Sequence, residues 1–323
     1  MARMGWVESP LQLVNAVEYA AATGDGVHLC LREGARRLGD TGRLLAPRLP
    51  RGVTMSGPWR HATLSPFATA RRRLAGDANS GQVRAVATFA GAQDTVLVDD
   101  GSGMLSMARR LIEGRPLGRH AKNESRLHRA LGAAAAVRLR TAAQEGRLTV
   151  FTAYSDTETM ARLGALGATV IHNDYAWLRG TSLVADAAVG SHVVVGSALV
   201  DDGYLDTDAY AGWLRDLAAQ GPVTYYPHRR ERRDSLQRWA QVPGVAVQRP
   251  LLPIEVLLAS APGVRRVSTL PSSVVATLST ILDRSVDLDV SAVPHHWLTS
   301  AADDSLRSLL EDVSARGRAR AVA

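Results

Sequence analysis

The feature that most narrows what this chain can fold into is a rhythm. Short β-branched and aliphatic runs, each closed by a turn and followed by a helical stretch, recur from one end to the other. Such alternation argues for parallel sheets covered by helices on both faces. The first run, Met4 to Glu8, turns at Ser9-Pro10 into a helix over Leu11 to Ala22, with Ser9 at the N-cap and Pro10 at the first helical position. Strands follow at Val27 to Leu31, Val53 to Ser56, Thr95 to Val98 and Leu148 to Thr152, with helices at Met104 to Glu113 and Glu124 to Glu145. The second half predicts strands at Val193 to Val195, Val223 to Tyr226, Val245 to Val247, Arg266 to Thr269 and Val286 to Val290. Its helices fall at Thr207 to Ala219, Arg232 to Ala240, Ile254 to Ser260 and Ser272 to Leu282. No strong strand signal lies between Asp174 and Gly190, which sets a boundary there and two Rossmann-like domains, 1–180 and 181–323. At 323 residues the chain exceeds the size at which one core stops growing, and its 46% apolar content suffices for two.

Composition removes several function classes. The net charge of +7 comes almost wholly from arginine, Lys122 being the only lysine. These arginines are spread along the chain and aromatics are only 5%, which is not the basic, aromatic-laced stripe of a nucleic-acid binder. Anionic small substrates or an anionic membrane surface stay open as partners. The single cysteine, Cys30, lies in an apolar strand and has no intrachain partner. No stretch reads as a signal peptide or as the ~20-residue apolar span of a membrane helix, so the expected location is the cytoplasm. Arg316 to Ala323 is expected to be a frayed tail.

Five motifs carry chemistry, each beside a plainer explanation. Asp99-Asp100-Gly101-Ser102 sits where an apolar strand ends, and in open α/β sheets ligands bind outside the carboxyl ends of strands. Adjacent carboxylates raise one another's pKa and favour a general base, yet Asp-Asp-Gly is also a common turn, and the two readings weigh equally. Tyr225-Tyr226-Pro227-His228-Arg229-Arg230-Glu231 ends a strand in the second half; a histidine that protonates near neutral pH, with arginines beside it, suits a phosphate, although taken alone a solvated, charged helix start is the better explanation. Ser272 and Ser273 open a helix, where free backbone N–H groups bind phosphate and where serines also simply cap. Glu255, in the first turn of its helix, is favoured there by the helix dipole, and a carboxylate at such a junction also accepts ribose hydroxyls. Asp201-Asp202-Gly203 is a second acidic turn, ranked below Asp100 as a base. No phosphate-binding glycine fingerprint and no metal-ligand spacing is present.

In this order, an acidic pair with glycine, a histidine beside proline and a serine pair resemble the three signature motifs of bacterial sialyltransferases, of the polysialyltransferase and lipooligosaccharide sialyltransferase type. Glu8-Ser9-Pro10-Leu11-Gln12-Leu13 and the segment Gly196 to Tyr210 add to the resemblance. Here proline precedes His228 and the pair is Asp-Asp, where other members have the proline after and a glutamate in the pair. The resemblance implies a GT-B fold, with two Rossmann-like domains facing each other across a cleft. It also implies inverting, metal-independent transfer from a CMP-activated nonulosonic acid to a glycan or other hydroxyl acceptor, with no cofactor. Asp100 would be the base and Asp99 its support. His228 would donate to or neutralise the leaving phosphate, with Ser272, Ser273, Pro227 and Arg229 around it and Glu255 on the ribose. Domain 1–180 would supply the acceptor side, with Ser9, Gln12 and Ser102 near it, and domain 181–323 the donor site. Pro58 to Gln82 and Arg115 to Ser125 are the expected acceptor surface. The rivals are a GT-B transferase using another nucleotide sugar, and a catalytically silent protein that binds acidic glycans.

Overall fold

The computed structural model describes residues 2–91, 93–99, 101, 103–118, 124–181, 183, 189–250 and 252–322. The chain divides into two compact units, Met1–Leu183 and Val184–Ala323. The first holds strands β1 (Arg3–Val7), β2 (Val27–Arg32), β3 (Val53–Trp59), β4 (Arg72–Ala75), β5 (Asp94–Val98), β6 (Leu148–Thr152) and β7 (Thr169–His172). They form a seven-stranded sheet in the order β3-β2-β1-β4-β5-β6-β7, with every pairing parallel. The order reverses between β1 and β4. Gly5 lies opposite Leu29 on one side and Leu74 on the other, and a Cβ there would come within 2.6 Å of the Leu29 side chain. The following helix, Pro10–Thr23, starts and stops as its residues dictate: the Ser9 side chain accepts from the Gln12 N–H, and Gly24 takes the left-handed φ of 71° that ends it.

The second unit is smaller and repeats the plan. Its strands β8 (His192–Val195), β9 (Val223–Tyr226), β10 (Val245–Val247), β11 (Arg266–Thr269) and β12 (Asp287–Val290) run parallel in the order β10-β9-β8-β11-β12. Counted from its own first strand, this is the 3-2-1-4-5 order of the first five strands of the other sheet, again reversing beside the first strand. Both faces are covered. Val193 and Val195 of β8 join a cluster with Leu257, Val275 and Leu278, while Val194 joins one with Tyr210, Trp213, Tyr225 and Trp239 on the opposite face.

Three expectations are corrected. Pro58 to Gln82 is not all surface loop, because β4 within it is a central strand with Leu74 and Ala75 fully buried. Its sequence conceals this: the strand opens on two arginines, and Arg73 is buried with its guanidinium donating to the carbonyls of Phe67, Ala68 and Gly91. The carboxy-terminal segment is helical over Asp304–Val322 rather than frayed. β7 was not expected either; it is an edge strand whose four residues are all partly or fully exposed, so it carries no apolar run to read. Among the described residues no helix is long and apolar enough to cross a membrane.

Candidate functional site

In the first unit the carboxyl ends of β1, β4 and β5 meet beside the point where strand order reverses. Here Gln12 folds back so that its Oε1 accepts the Glu8 N–H at 2.8 Å, and the Glu8 carboxylate pairs with Arg32 at 3.0 Å. Gln12 lies directly over Gly76, where a Cβ would fall 2.2 Å from Oε1, so only glycine leaves room at the end of β4. Ser9 and Gln12 are both engaged in this local structure, and Gln12 is 2% exposed.

Asp99 is completely buried. Its Oδ2 accepts from the Thr152 hydroxyl at 2.8 Å and the Ala153 N–H at 3.3 Å, across to the end of β6. Its backbone carbonyl accepts Asn15 Nδ2 at 2.8 Å, and Asn15 Oδ1 in turn accepts Asn173 Nδ2 at 3.1 Å. Asp99 therefore fixes the end of β5 from within. Gly101 has φ 77°, a left-handed turn that glycine makes without steric cost, and the next helix runs Gly103–Ile112. Asp100 and Ser102 lie outside the described residues.

In the second unit the corresponding edge gathers the ends of β9, β8 and β11, which are adjacent strands. Pro227 and His228 follow β9, Gly196 and Ser197 follow β8, and Ser272 and Ser273 follow β11. The His228 turn is organised by the last residue of the motif, to which the sequence assigned no role. The half-buried Glu231 carboxylate accepts three hydrogen bonds, from Tyr225 Oη at 2.6 Å, the His228 N–H at 2.6 Å and Trp239 Nε1 at 3.2 Å. Tyr225 Oη is also 2.9 Å from Tyr210 Oη, and both rings are fully buried. Gly196 closes the arrangement, since a Cβ there would stand 2.2 Å from Glu231 Oε1 and 2.4 Å from Tyr225 Oη. Burial lifts the Glu231 carboxyl from its ordinary 4.5 to about 7.

His228 is corrected from the sequence expectation of protonation near neutral pH. Burial, with Arg230 and Arg229 adding to it, brings its pKa down to about 4. Its Nδ1 accepts the Arg230 N–H at 3.3 Å, so the neutral ring carries its hydrogen on Nε2. Arg229 is exposed beside it.

The helix after β11 begins at Val274, two residues later than expected, and no side chain caps it. The half-buried Ser272 hydroxyl makes no hydrogen bond among the described residues, which leaves it available to an anion at the start of the helix, where the Ser272 carbonyl already takes the Val275 N–H at 3.2 Å. Glu255 is 7% exposed in the first turn of Ile254–Ala259, a helix that packs on Val274–Ile281. Asp202 is bound to Arg230 at 2.9 Å, and Asp201 accepts from the Arg232 N–H and the Ser235 hydroxyl, each at 2.8 Å. The second acidic turn is thus tied into the fold. It lines a cavity of about 410 Å³ with Thr207, Ser235 and Arg238 that includes neither His228 nor the serine pair. Among the described residues no group of three His, Cys, Asp or Glu side chains could hold a metal ion.

No protein-family model matches the chain, and no curated protein matches its sequence. Solved structures do match its fold. The chain is similar to the α/β-galactoside α-2,3-sialyltransferase of the luminous marine bacterium Photobacterium phosphoreum, at a TM-score of 0.56 and 9% identity over 98% of this chain and 97% of that one. It is also similar to the GT-B domain of the Photobacterium damselae sialyltransferase, at a TM-score of 0.50 and 10% identity over 99% and 97%. Two parallel α/β sheets in succession, matched from end to end by these structures, make this a GT-B fold.

Proposed function

We propose that this chain is a glycosyltransferase that moves a nonulosonic, sialic-acid-like sugar from a CMP-activated donor to a hydroxyl of a glycan or other acceptor. The observation that carries the reading is the second unit's strand edge. A neutral histidine N–H follows β9, and an unengaged serine hydroxyl and a helix N-terminus with no side-chain cap follow β11, the two strands that flank β8 in a Rossmann-type sheet, which is the equipment for holding a departing phosphate. In this reading the glycosidic C–O bond to CMP breaks and CMP leaves as a phosphate monoester. His228 Nε2–H, Ser272, Ser273 and the helix N-terminus take up the charge, with Arg229 and Pro227 shaping the turn and Glu255 on the ribose. The acceptor oxygen attacks the opposite face, giving inversion, and its proton passes to Asp100, whose strand end Asp99 holds in place. No metal is called on, a feature that comes from the resemblance to sialyltransferases. Peripheral association with an anionic membrane belongs to the same reading.

A thermal-shift panel tests the donor. CMP should raise the melting temperature more than UMP or AMP, by the equivalent of about 2.7 kcal/mol at a hundred times its Kd. Absence of stabilisation by any cytidine nucleotide refutes the donor assignment. Asp100→Ala should bind CMP as the parent does while losing a hundredfold or more in donor turnover, the general scale for a catalytic base.

A further inference from the structure

One side of the first unit carries a surface that neither the fold nor the transfer chemistry explains. Residues 58–76, 78–93 and 125–144, with the half-buried Asp77 the one acidic residue between the first two segments, contain no aspartate or glutamate, where the average of the chain would place about five in 55 residues. The three segments also pack together. Ala62–Leu64 lies against the helix Gly81–Phe89, with Gln82 Oε1 accepting the Ala62 N–H at 3.1 Å, and that helix lies against Arg126–Gln144, with the Thr88 hydroxyl donating to the Leu131 carbonyl at 3.3 Å.

Arginine is abundant on these elements, and the buried and half-buried members are tied down. Arg84 is clamped on Glu124, and Arg140 donates to the carbonyls of Leu111 and Ile112. Arg60, Arg71, Arg126, Arg129 and Arg138 are instead exposed and make no ion pair among the described residues. Interspersed with them are Leu64 at 73% exposure, Phe89 at 79%, Leu127 at 68% and Val137 at 65%. The remaining large apolar side chain that is exposed among the described residues, Leu309, is in the other unit.

We infer that this face of the first unit docks on an anionic lipid bilayer. The scarcity of carboxylates matches a negatively charged surface, and arginines alone would fit any polyanion. The aliphatic and phenyl side chains among them decide for lipid. They gain by entering the boundary between headgroups and acyl chains, whereas they offer nothing to a hydrated polysaccharide or a phosphodiester backbone. The two helices begin side by side, a Cβ at Gly81 lying 3.9 Å from His128, and Gly81–Phe89 follows β4, at the sheet edge that also holds Asp99. Docking therefore brings the edge assigned to the acceptor close to the membrane plane. The inference refines the membrane association proposed above and is independent of the donor and the transfer step.

Sedimentation with vesicles tests it on the full chain, by binding alone. The parent should bind vesicles of mixed phosphatidylcholine and phosphatidylglycerol and not vesicles of phosphatidylcholine. Each arginine at such a surface is worth about fivefold in affinity, so the variant Arg126→Gln, Arg129→Gln, Arg138→Gln should bind on the order of a hundredfold more weakly. The same charge removed from the other unit by Arg249→Gln, Arg265→Gln, Arg284→Gln should leave binding near the parent's. Leu64→Ser, Phe89→Ser, Leu127→Ser should lose most of the binding that persists at high salt. All these side chains are exposed, and unchanged melting temperatures verify the fold. Failure to bind anionic vesicles overturns the inference. Equal losses in the two arginine variants, which would mean net charge only, overturn it too, as does a parent dimer that dissociates in the apolar variant. Donor hydrolysis in lipid-free solution is read separately, so a negative vesicle result leaves the transfer reading standing.

Discussion

Replacing Glu231 by glutamine separates what the fold needs from what the site needs. Glutamine keeps the volume and one acceptor oxygen, but its NH₂ group must stand either at Oε1, which receives the His228 N–H, or at Oε2, which receives Tyr225 Oη and Trp239 Nε1. The hydroxyl of Tyr225 can turn and donate to Tyr210 instead, 2.9 Å away, whereas neither the His228 N–H nor the Trp239 indole N–H can turn, so one of them loses its acceptor and the strain falls on the contact that ties the His228 turn to Trp239. Stability should respond to pH in a defined sense. The folded carboxyl titrates at about 7 against an ordinary 4.5, so between those values the folded state holds the proton more tightly than the unfolded chain. Parent stability is therefore lost from this group as pH rises through that window, by about 3 kcal/mol at 1.36 kcal/mol per pH unit. The glutamine variant has no such loss, so its stability relative to the parent should improve by about 3 kcal/mol from pH 4.5 to pH 7.5. His228 acts in the opposite sense in both proteins, because its stabilisation is present above 6.5 and fades as pH falls towards 4, and it largely drops out of the difference. Urea unfolding across this pH range, followed by tryptophan fluorescence, reads the effect beside Trp239. At neutral pH the variant should be as stable as the parent or more so, yet show weaker stabilisation by CMP. Parallel parent and variant curves across the pH range would refute the reasoning, since they would show that the carboxyl is not held up by burial.

Three further outcomes are expected. Gly76→Ala should cost about 1–3 kcal/mol in unfolding free energy, because Gln12 can clear the new methyl only by giving up the Glu8 N–H. His228→Ala should reduce donor turnover about a hundredfold or more, and parent turnover should not fall as pH rises through 6.5, since a neutral ring needs no proton from solvent; a decline with an apparent pKa near 6.5 would contradict this. In Glu18→Gln, stability should become less dependent on pH between 4.5 and 7 when unfolding is measured across that range, because burial holds the Glu18 carboxyl at about 7 and its charged form costs stability as pH rises.

Elements with a full apolar run or a clear cap were legible in the sequence. Thr207–Ala219 is found to the residue, with the Asp206 side chain accepting from the Asp208 and Ala209 N–H groups, and β9, β10 and β11 likewise. β4 was hidden because Arg73 is satisfied by carbonyls that only the folded chain brings near. The strand-end placement of Asp99, His228 and the serine pair was also legible, since an apolar run stopping at polar residues needs no tertiary information. The charge state of His228 was not, because it depends on burial and on a backbone N–H turned onto Nδ1. Glu231 stands within the same short motif, yet its importance comes from Gly196 and Tyr225, which reach it only through strand pairing.

The hydrogen bonds through Asn15 also act as a strut. From the segment at which the chain leaves the first unit, Leu178 and Trp177 are held by the Glu18 carboxylate, Asn173 by Asn15, and Asn15 by the carbonyl of Asp99. Glu18 and Asn15 lie on one rigid helix, Pro10–Thr23, about a turn apart. A pull on the departing chain is therefore not absorbed locally. It passes along that helix from Glu18 to Asn15, and Asn15 bears on the last peptide before Asp100.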